Sequence, residues 1–322
     1  KNQCIINLEE EYQPLEAYQG AGQRWCPGCG DNAILTAVQR LCRDEQLPPE
    51  KTVFVSGIGC ASRFPHYMGT YGFHGLHGRA IATAQGVKMR RPDLHVFVNT
   101  GDGDCCSIGT AHWIHAIRMN MDITVMLHDN SVYGLTKMQV SPTSPVGLRT
   151  NTTPRGAYLK PINPLVTTLG VVNVSFAAQV GEWIPDLLYD VINKAYHHKG
   201  FSFIRILQRC PHFMDNFFQD AISNPNNVLL LTHKDGLKVG DTIGKLYKNQ
   251  MEHDPSDIHR ARELASMEDK IPMGIFYRND SIPRYEDIRK PRHINSAEQI
   301  DRTLTKAFDK FGISPVTSEV VK

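Results

Sequence analysis

Three times in this chain a short apolar run stops at glycine or at a small polar turn. The runs are KTVFVSGIG from Lys51, LHVFVNTGDGD from Leu94 and ITVMLHDN from Ile123. Continuous apolar segments of this length, bounded by turn residues, read as strands buried on both faces. Between them, HGRAIATAQGVKMRR and the stretch from Ser107 to about Asn120 have helical spacing, as does the segment after CPGCGD. This alternation predicts an α/β protein with a mostly parallel sheet and helices on both faces. A loop region rich in Thr, Pro, Ser and Gly follows from Tyr133 to Pro164. VVNVSFAAQ, the helical PDLLYDVINKAYHH and the strand FSFIRILQ then resume the alternation, and the core is expected to end near Cys210.

With 322 residues, 41% of them hydrophobic, the chain is long enough to bury one large α/β domain with extensions. The expected division is an N-terminal arm over 1–20, a main domain over 21–215, and an irregular C-terminal extension over 216–322. That extension, with helical patterns in SDIHRARELASMED and SAEQIDRTLTKAFDKF, is expected to pack on a partner. Lys and Arg number 35 against 33 Asp and Glu, a net charge of +2, so no global field draws in nucleic acid or an anionic membrane. The opening KNQCIINLEEEYQPLEAY is acidic and polar, unlike an export signal, and no apolar run is long enough to cross a bilayer. A cytoplasmic protein is expected.

The run NTGDGDCCSIG, from Asn99 to Gly109, carries the most chemistry, because a strand ends in glycines and a helix begins at once. Glycines let the backbone approach a ligand, and the free N–H groups of a new helix favour an anion such as a diphosphate. An acidic residue in such a turn repels phosphate unless a cation lies between them, so Asp102 reads as a Mg²⁺ ligand. Octahedral Mg²⁺ wants further oxygens, and Asn130, just past the next strand in HDNSVYGLT, offers a side-chain carbonyl. Adjacent parallel strands bring their C-terminal ends together, so Asp102 and Asn130 are expected to meet, with the backbone carbonyl of Val132 as a third ligand.

Eight cysteines are present, and Cys26 and Cys29 form a CxxC pair in a Pro-Gly turn. Cys60 ends GIGC and Cys210 follows ILQR, both where strands of the sheet finish. Structural Zn²⁺ also takes four thiolates, usually as two local pairs, whereas a thioredoxin-like CxxC needs no distant cysteines. A [4Fe–4S] cluster accepts one local pair plus two dispersed residues, and spacing alone leaves it level with zinc. Cys42 reads as core and Cys4 as part of the arm, while Cys105 and Cys106, beside GDGD, are alternatives to Cys210 as ligands.

WCPGCGD, GIGCASR, HGRA, GDGDCCSIG, DNSVYGLTK and QVSPTSP stand in the order found in β subunits of 2-oxoacid:ferredoxin oxidoreductases, which the chain resembles strongly over about 20–215 and more loosely in IPMGIFYRND and YED. The resemblance implies a thiamine-diphosphate-binding fold, with one [4Fe–4S] cluster on Cys26, Cys29, Cys60 and Cys210 and Mg²⁺ on Asp102, Asn130 and Val132. It implies thiamine diphosphate contacts from Ile58, Gly59, Cys60, Ala61, His77, Gly103, Asp104, Gly134 and Leu135. His77, ahead of Gly78 and Arg79, also reads as a helix start. In this family the glutamate that activates the aminopyrimidine resembles a contribution of the α subunit, so the chain is expected to be inactive alone. An (αβ)₂ assembly, coenzyme A and ferredoxin are implied as well.

Arg63 in CASR and Lys137 in YGLTK follow cofactor loops and are expected to bind substrate carboxylates, Arg63 as a fork and Lys137 as a point charge. Two cations suit a dicarboxylic acid, so 2-oxoglutarate is the expected substrate, with succinyl-CoA as product. The rival readings are the same enzyme class acting on pyruvate, branched-chain or aryl 2-oxoacids, a thiamine enzyme without redox chemistry, and a non-catalytic zinc-stabilised binding protein.

Overall fold

The computed structural model describes residues 12–234, 237, 239–289 and 296–312. The chain forms two units, one ending at Glu286 and one beginning at Asp287. The first is built on a nine-stranded sheet with the order β2-β1-β3-β4-β6-β5-β9-β7-β8. Its strands are β1 (Thr52–Ser56), β2 (Tyr71–His74), β3 (His95–Gly101), β4 (Ile123–Asp129), β5 (Phe176–Gly181), β6 (Phe201–Leu207), β7 (Val228–Thr232), β8 (Gln250–Glu252) and β9 (Ile271–Arg278). Neighbours run parallel except β5 and β9.

All seven residues of β4 are buried, as its unbroken apolar run predicts for a strand covered on both faces. Alternate side chains then feed two separate cores. Phe54, Phe97, Met126 and Ile204 pack with α1 (Asp31–Asp44) on one face, where α5 (Pro185–His197) also lies. Val55, Val98, Val125 and Phe203 pack on the other against α2 (Ala80–Arg90), α3 (Thr110–Met119) and α4 (Pro164–Gly170). The Phe54 and Phe97 rings stack 4.9 Å apart. Cys42 is fully buried in α1, as expected.

The core does not end near Cys210. Three further strands, β7 to β9, widen the same sheet. β9 escapes sequence reading because Pro272 and Gly274, both unusual inside strands, interrupt it. It also joins β5 antiparallel with a bulge between Ala177 and Ala178, a pairing that β-α alternation does not announce. At the other end of the chain, Tyr18 is fully buried and donates from its hydroxyl to the Leu47 carbonyl at 2.9 Å. Cys4 lies outside the described residues. In the second unit a helix over Ala297–Phe311 starts with a reciprocal Ser296–Gln299 capping box. No helix among the described residues is long and apolar enough to cross a membrane.

Phe97 is almost wholly enclosed between β3 neighbours and α5, which makes it a sensitive probe of the sheet's packing. Phe97→Ala is predicted to lower stability by about 3–5 kcal/mol, read as a fall in the urea unfolding midpoint at unchanged slope.

Candidate functional site

Register places the C-terminal ends of four strands side by side: Ser56 pairs with Asn99, Gly101 with His128, and Asp129 with Leu207. The loops that leave these ends are 57–60, 101–104, 130–136 and 208–210, so the motifs separated in sequence meet along one edge. Two adjoining cavities open there. One is lined by Ile58, Gly59, Cys60, Ala61, His77, Asp102, Gly103, Asp104, Asn130, Val132, Gly134 and Leu135, together with His128 and Tyr133. The other, of about 200 Å³, is lined by Cys26, Cys29, Cys60 and Cys210, and by Arg24, Asp31, Arg63, Lys137 and Gln208. Cys60, Asn130, Gly134 and Leu135 face both.

In the first cavity Asp102 is nearly inaccessible, and its Oδ2 accepts from Ser141 Oγ at 2.5 Å and Thr143 Oγ1 at 2.7 Å. The same Thr143 hydroxyl lies 2.9 Å from Oδ1 of the fully buried Asp129. One hydroxyl proton cannot serve both carboxylates. Burial, and then the proximity of Asp129, push the Asp102 carboxyl up to about 7. Asp129 keeps its own charge balanced through Arg205, with Nη2 at 2.6 Å. The Oδ1 of Asn130 accepts from Val132 N at 3.2 Å, which fixes the amide at the mouth of the loop. Tyr133 donates to the Gly103 carbonyl at 3.0 Å, and its ring lies where any side chain at Gly103 would sit. Only glycine fits beneath it.

Asp104 lines the cavity, yet its carboxylate is taken up by the protein. Oδ1 accepts from Gly78 N at 2.7 Å and Ile58 N at 3.4 Å, and Oδ2 from Thr100 Oγ1 at 2.9 Å. Three loops are thereby tied at one residue. The helix expected from Ser107 begins instead as a π-helical turn, Asp104–Ile108, a form that recurs at functional sites. This turn sends Cys105 and Cys106 into the apolar core beside Val98 and Trp113, away from the cysteine-lined cavity, so neither stands in for Cys210.

In the second cavity the CxxC turn closes with Cys29 N donating to the Cys26 carbonyl at 3.0 Å, and Trp25 Nε1 donates to the Cys60 carbonyl at 2.8 Å. That indole bond braces the CPGC loop against the GIGC loop. A methyl at Gly134 would lie 3.5 Å from Cys60 Sγ and 3.9 Å from Cys210 Sγ, so the glycine leaves free the space that both sulfurs border. Burial and then the nearby Asp31 raise the Cys29 thiol strongly and the Cys60 thiol to about 12. These thiols stay protonated until a cation displaces the protons. Among the described residues no three His, Cys, Asp or Glu side chains stand close enough to hold one metal ion. Cys26, Cys29, Cys60 and Cys210 nevertheless line one cavity, an all-thiolate donor set of the kind that an iron–sulfur cluster takes.

Arg63 and Lys137 both line the second cavity, Arg63 with its guanidinium 5.8 Å from the Tyr67 ring centre. Lys137 and Met138 both have left-handed backbones, with φ of 71° and 73°, a strained pair at the cavity rim. Arg24, Asp31, His128, Ser141, Thr143 and Gln208 were not singled out from sequence. Arg24 stood in plain view next to the CxxC, and Ser141 and Thr143 lie in the QVSPTSP motif. Asp31 accepts from His128 Nδ1 at 2.7 Å, a contact between segments far apart in the chain that no local pattern reveals.

Comparison with known proteins identifies the family. Residues 57–206 match the family described as thiamine pyrophosphate enzyme, C-terminal TPP binding domain, and residues 243–292 match the family described as the C terminal of the pyruvate ferredoxin oxidoreductase beta subunit. The fold is therefore that of a thiamine diphosphate enzyme. The 2-oxoacid:ferredoxin oxidoreductase subunit beta of Saccharolobus solfataricus is 38% identical over 266 residues, covering 81% of this chain and 84% of that protein. The 2-oxoglutarate oxidoreductase subunit KorB of Mycobacterium tuberculosis is 44% identical over 222 residues, 69% of this chain but 59% of that protein. A solved 2-oxoglutarate:ferredoxin oxidoreductase from Magnetococcus marinus, with 2-oxoglutarate, coenzyme A and succinyl-CoA bound, superposes with a TM-score of 0.75 at 33% identity, over 97% of this chain and 95% of that one. The chain belongs to the β subunits of the 2-oxoacid:ferredoxin oxidoreductases. The zinc-stabilised scaffold reading falls with that membership.

Asp104→Ala leaves a buried backbone N–H at Gly78, a half-buried one at Ile58 and a hydroxyl without their acceptor. The variant is predicted to lose about 3 kcal/mol of stability and to exchange amide hydrogens faster at 57–58 and 77–78, read by hydrogen-exchange mass spectrometry.

Proposed function

We propose that this β subunit, with an α subunit, converts 2-oxoglutarate, coenzyme A and oxidised ferredoxin to succinyl-CoA, CO₂ and reduced ferredoxin, or runs the reverse carboxylation. The observation that carries the proposal is the wall shared by the two cavities, where Cys60 and Gly134 border both. A cofactor bound in one and a cluster held in the other would then be neighbours across that wall, a placement suited to one-electron transfer between them. Relatives named for 2-oxoglutarate, and the neighbour with that acid bound, support the substrate.

Thiamine diphosphate, when bound, supplies the electron sink for loss of CO₂ from a 2-oxoacid. The chain's residues do the rest of the binding work. Asp102, Asn130 and the Val132 carbonyl hold Mg²⁺, with Ser141 and Thr143 fixing the Asp102 carboxylate from behind. Ile58 to Ala61, His77, Gly103, Gly134 and Leu135 contact the cofactor, and Asp104 keeps their loops in place. Cys26, Cys29, Cys60 and Cys210 hold one [4Fe–4S] cluster. Arg63 and Lys137 receive the carboxylates of the substrate, and Arg24, which lines the cysteine cavity and a neighbouring groove with Arg63, adds a third cation to that mouth. Supply of the activating glutamate by the α subunit, an (αβ)₂ assembly, ferredoxin as acceptor and a cytoplasmic location complete the proposal.

Thr143→Val deletes one hydroxyl behind the metal ligand, and such outer contacts govern metal affinity. Thiamine diphosphate retention is predicted to require about 10- to 100-fold more Mg²⁺ in this variant, measured by cofactor content across a Mg²⁺ titration. For the substrate, Arg63→Ala and Lys137→Ala in the reconstituted complex are each predicted to lower kcat/KM for 2-oxoglutarate by about 10- to 100-fold, and the variant that loses the cation for the distal carboxylate is predicted to affect pyruvate much less. Equal losses on both acids in both variants would defeat the dicarboxylate assignment.

A further inference from the structure

We infer that Gln208 sets the reduction potential of the cluster through a hydrogen bond to the Cys29 sulfur, an inference that rests on the cluster reading above. Gln208 directly follows β6 and is almost wholly buried, with its backbone N donating to the Asp129 carbonyl at 3.0 Å. Its Nε2 lies 3.3 Å from Cys29 Sγ and also donates to the Arg209 carbonyl. An amide nitrogen has two protons, so both bonds are satisfied together. Among the described residues, the Oε1 atom of the same amide is buried without a partner.

A buried idle acceptor is unfavourable, so this orientation needs a reason. Turning the amide over would set its oxygen against the Arg209 carbonyl and the Cys29 sulfur, two electron-rich groups, once that sulfur is a thiolate. Cys29 has a second close neighbour, Asp31 Oδ2 at 3.6 Å, whose other oxygen is occupied by His128. The free thiol donates to that carboxylate, but a thiolate bound to iron has no proton to give. Gln208 is then the side chain that donates to the sulfur.

Reduction adds one electron to the cluster and moves no proton, so the negative charge on the ligand sulfurs increases. A donor to sulfur stabilises that more negative state and raises the potential. Gln208 is accordingly a positioning residue: it acts on electron transfer through Cys29.

The test uses the complex with its partner subunit, purified without oxygen. Iron and sulfide analysis comes first, and a preparation lacking about four irons per chain would overturn the cluster reading and the inference with it. Potentials are then measured by EPR-monitored titration of the wild type, Gln208→Met and Gln208→Glu. With iron content unchanged, Gln208→Met should shift the equilibrium for reduction about tenfold toward the oxidised cluster, a fall of about 59 mV, and Gln208→Glu should shift it further. An unchanged potential in a fully loaded Gln208→Met complex would overturn the inference. Wild-type complex carrying ¹⁵N only in glutamine side-chain amides should also show a nitrogen coupling to the reduced cluster in pulsed EPR. Its absence would overturn the inference even where a variant fails to take up iron.

Discussion

Everything at the site depends on four parallel strands stopping at the same level. β1, β3, β4 and β6 pair in a register that delivers Gly57, Gly101, Asn130 and Gln208 to one edge of the sheet. Parallel pairing is possible only because the intervening helices carry the chain back each time, and those helices bury both faces of the sheet. The apolar cores on either side are therefore not a passive support. Slipping one strand by a residue would exchange its two faces and move its loop away from the others.

Within that frame the polar contacts are short-range and compact. Asp104 gathers the loops after β1, β3 and Leu76, and Trp25 links the CxxC turn to the loop after β1. Thr143 brings the long loop after β4 back over Asp102 and Asp129. Each of these side chains fixes backbone that has no regular hydrogen-bond ladder of its own. The site is preorganised by single residues placed at crossings between loops.

Much of this was legible in the sequence because it is local. The strands KTVFVS, LHVFVNT and ITVML, the helices between them, and the glycine turns after them all report themselves by period and by turn chemistry. The residues expected at the cofactor and at the sulfur cavity line those two cavities, and Cys42 lies in the core. What the sequence concealed is non-local. β2 is an exposed edge strand of four residues, too short and too polar in setting to stand out. β9 pairs against the direction of its neighbour. The Asp31–His128 and Gln208–Cys29 contacts join segments 97 and 179 residues apart, and nothing in either segment names its partner. The inward turn of Cys105 and Cys106 came from a π-helical start where an ordinary helix was expected.

Gly134 stands between the two cavities with no side chain at all. A methyl there would meet the Cys60 and Cys210 sulfurs and the Asn130 amide at 3.5, 3.9 and 4.0 Å. At that point the partition is bare backbone, while Cys60, Asn130 and Leu135 also face both chambers. A residue larger than alanine would press on side chains that face both chambers, so a change at this one position reaches the two together.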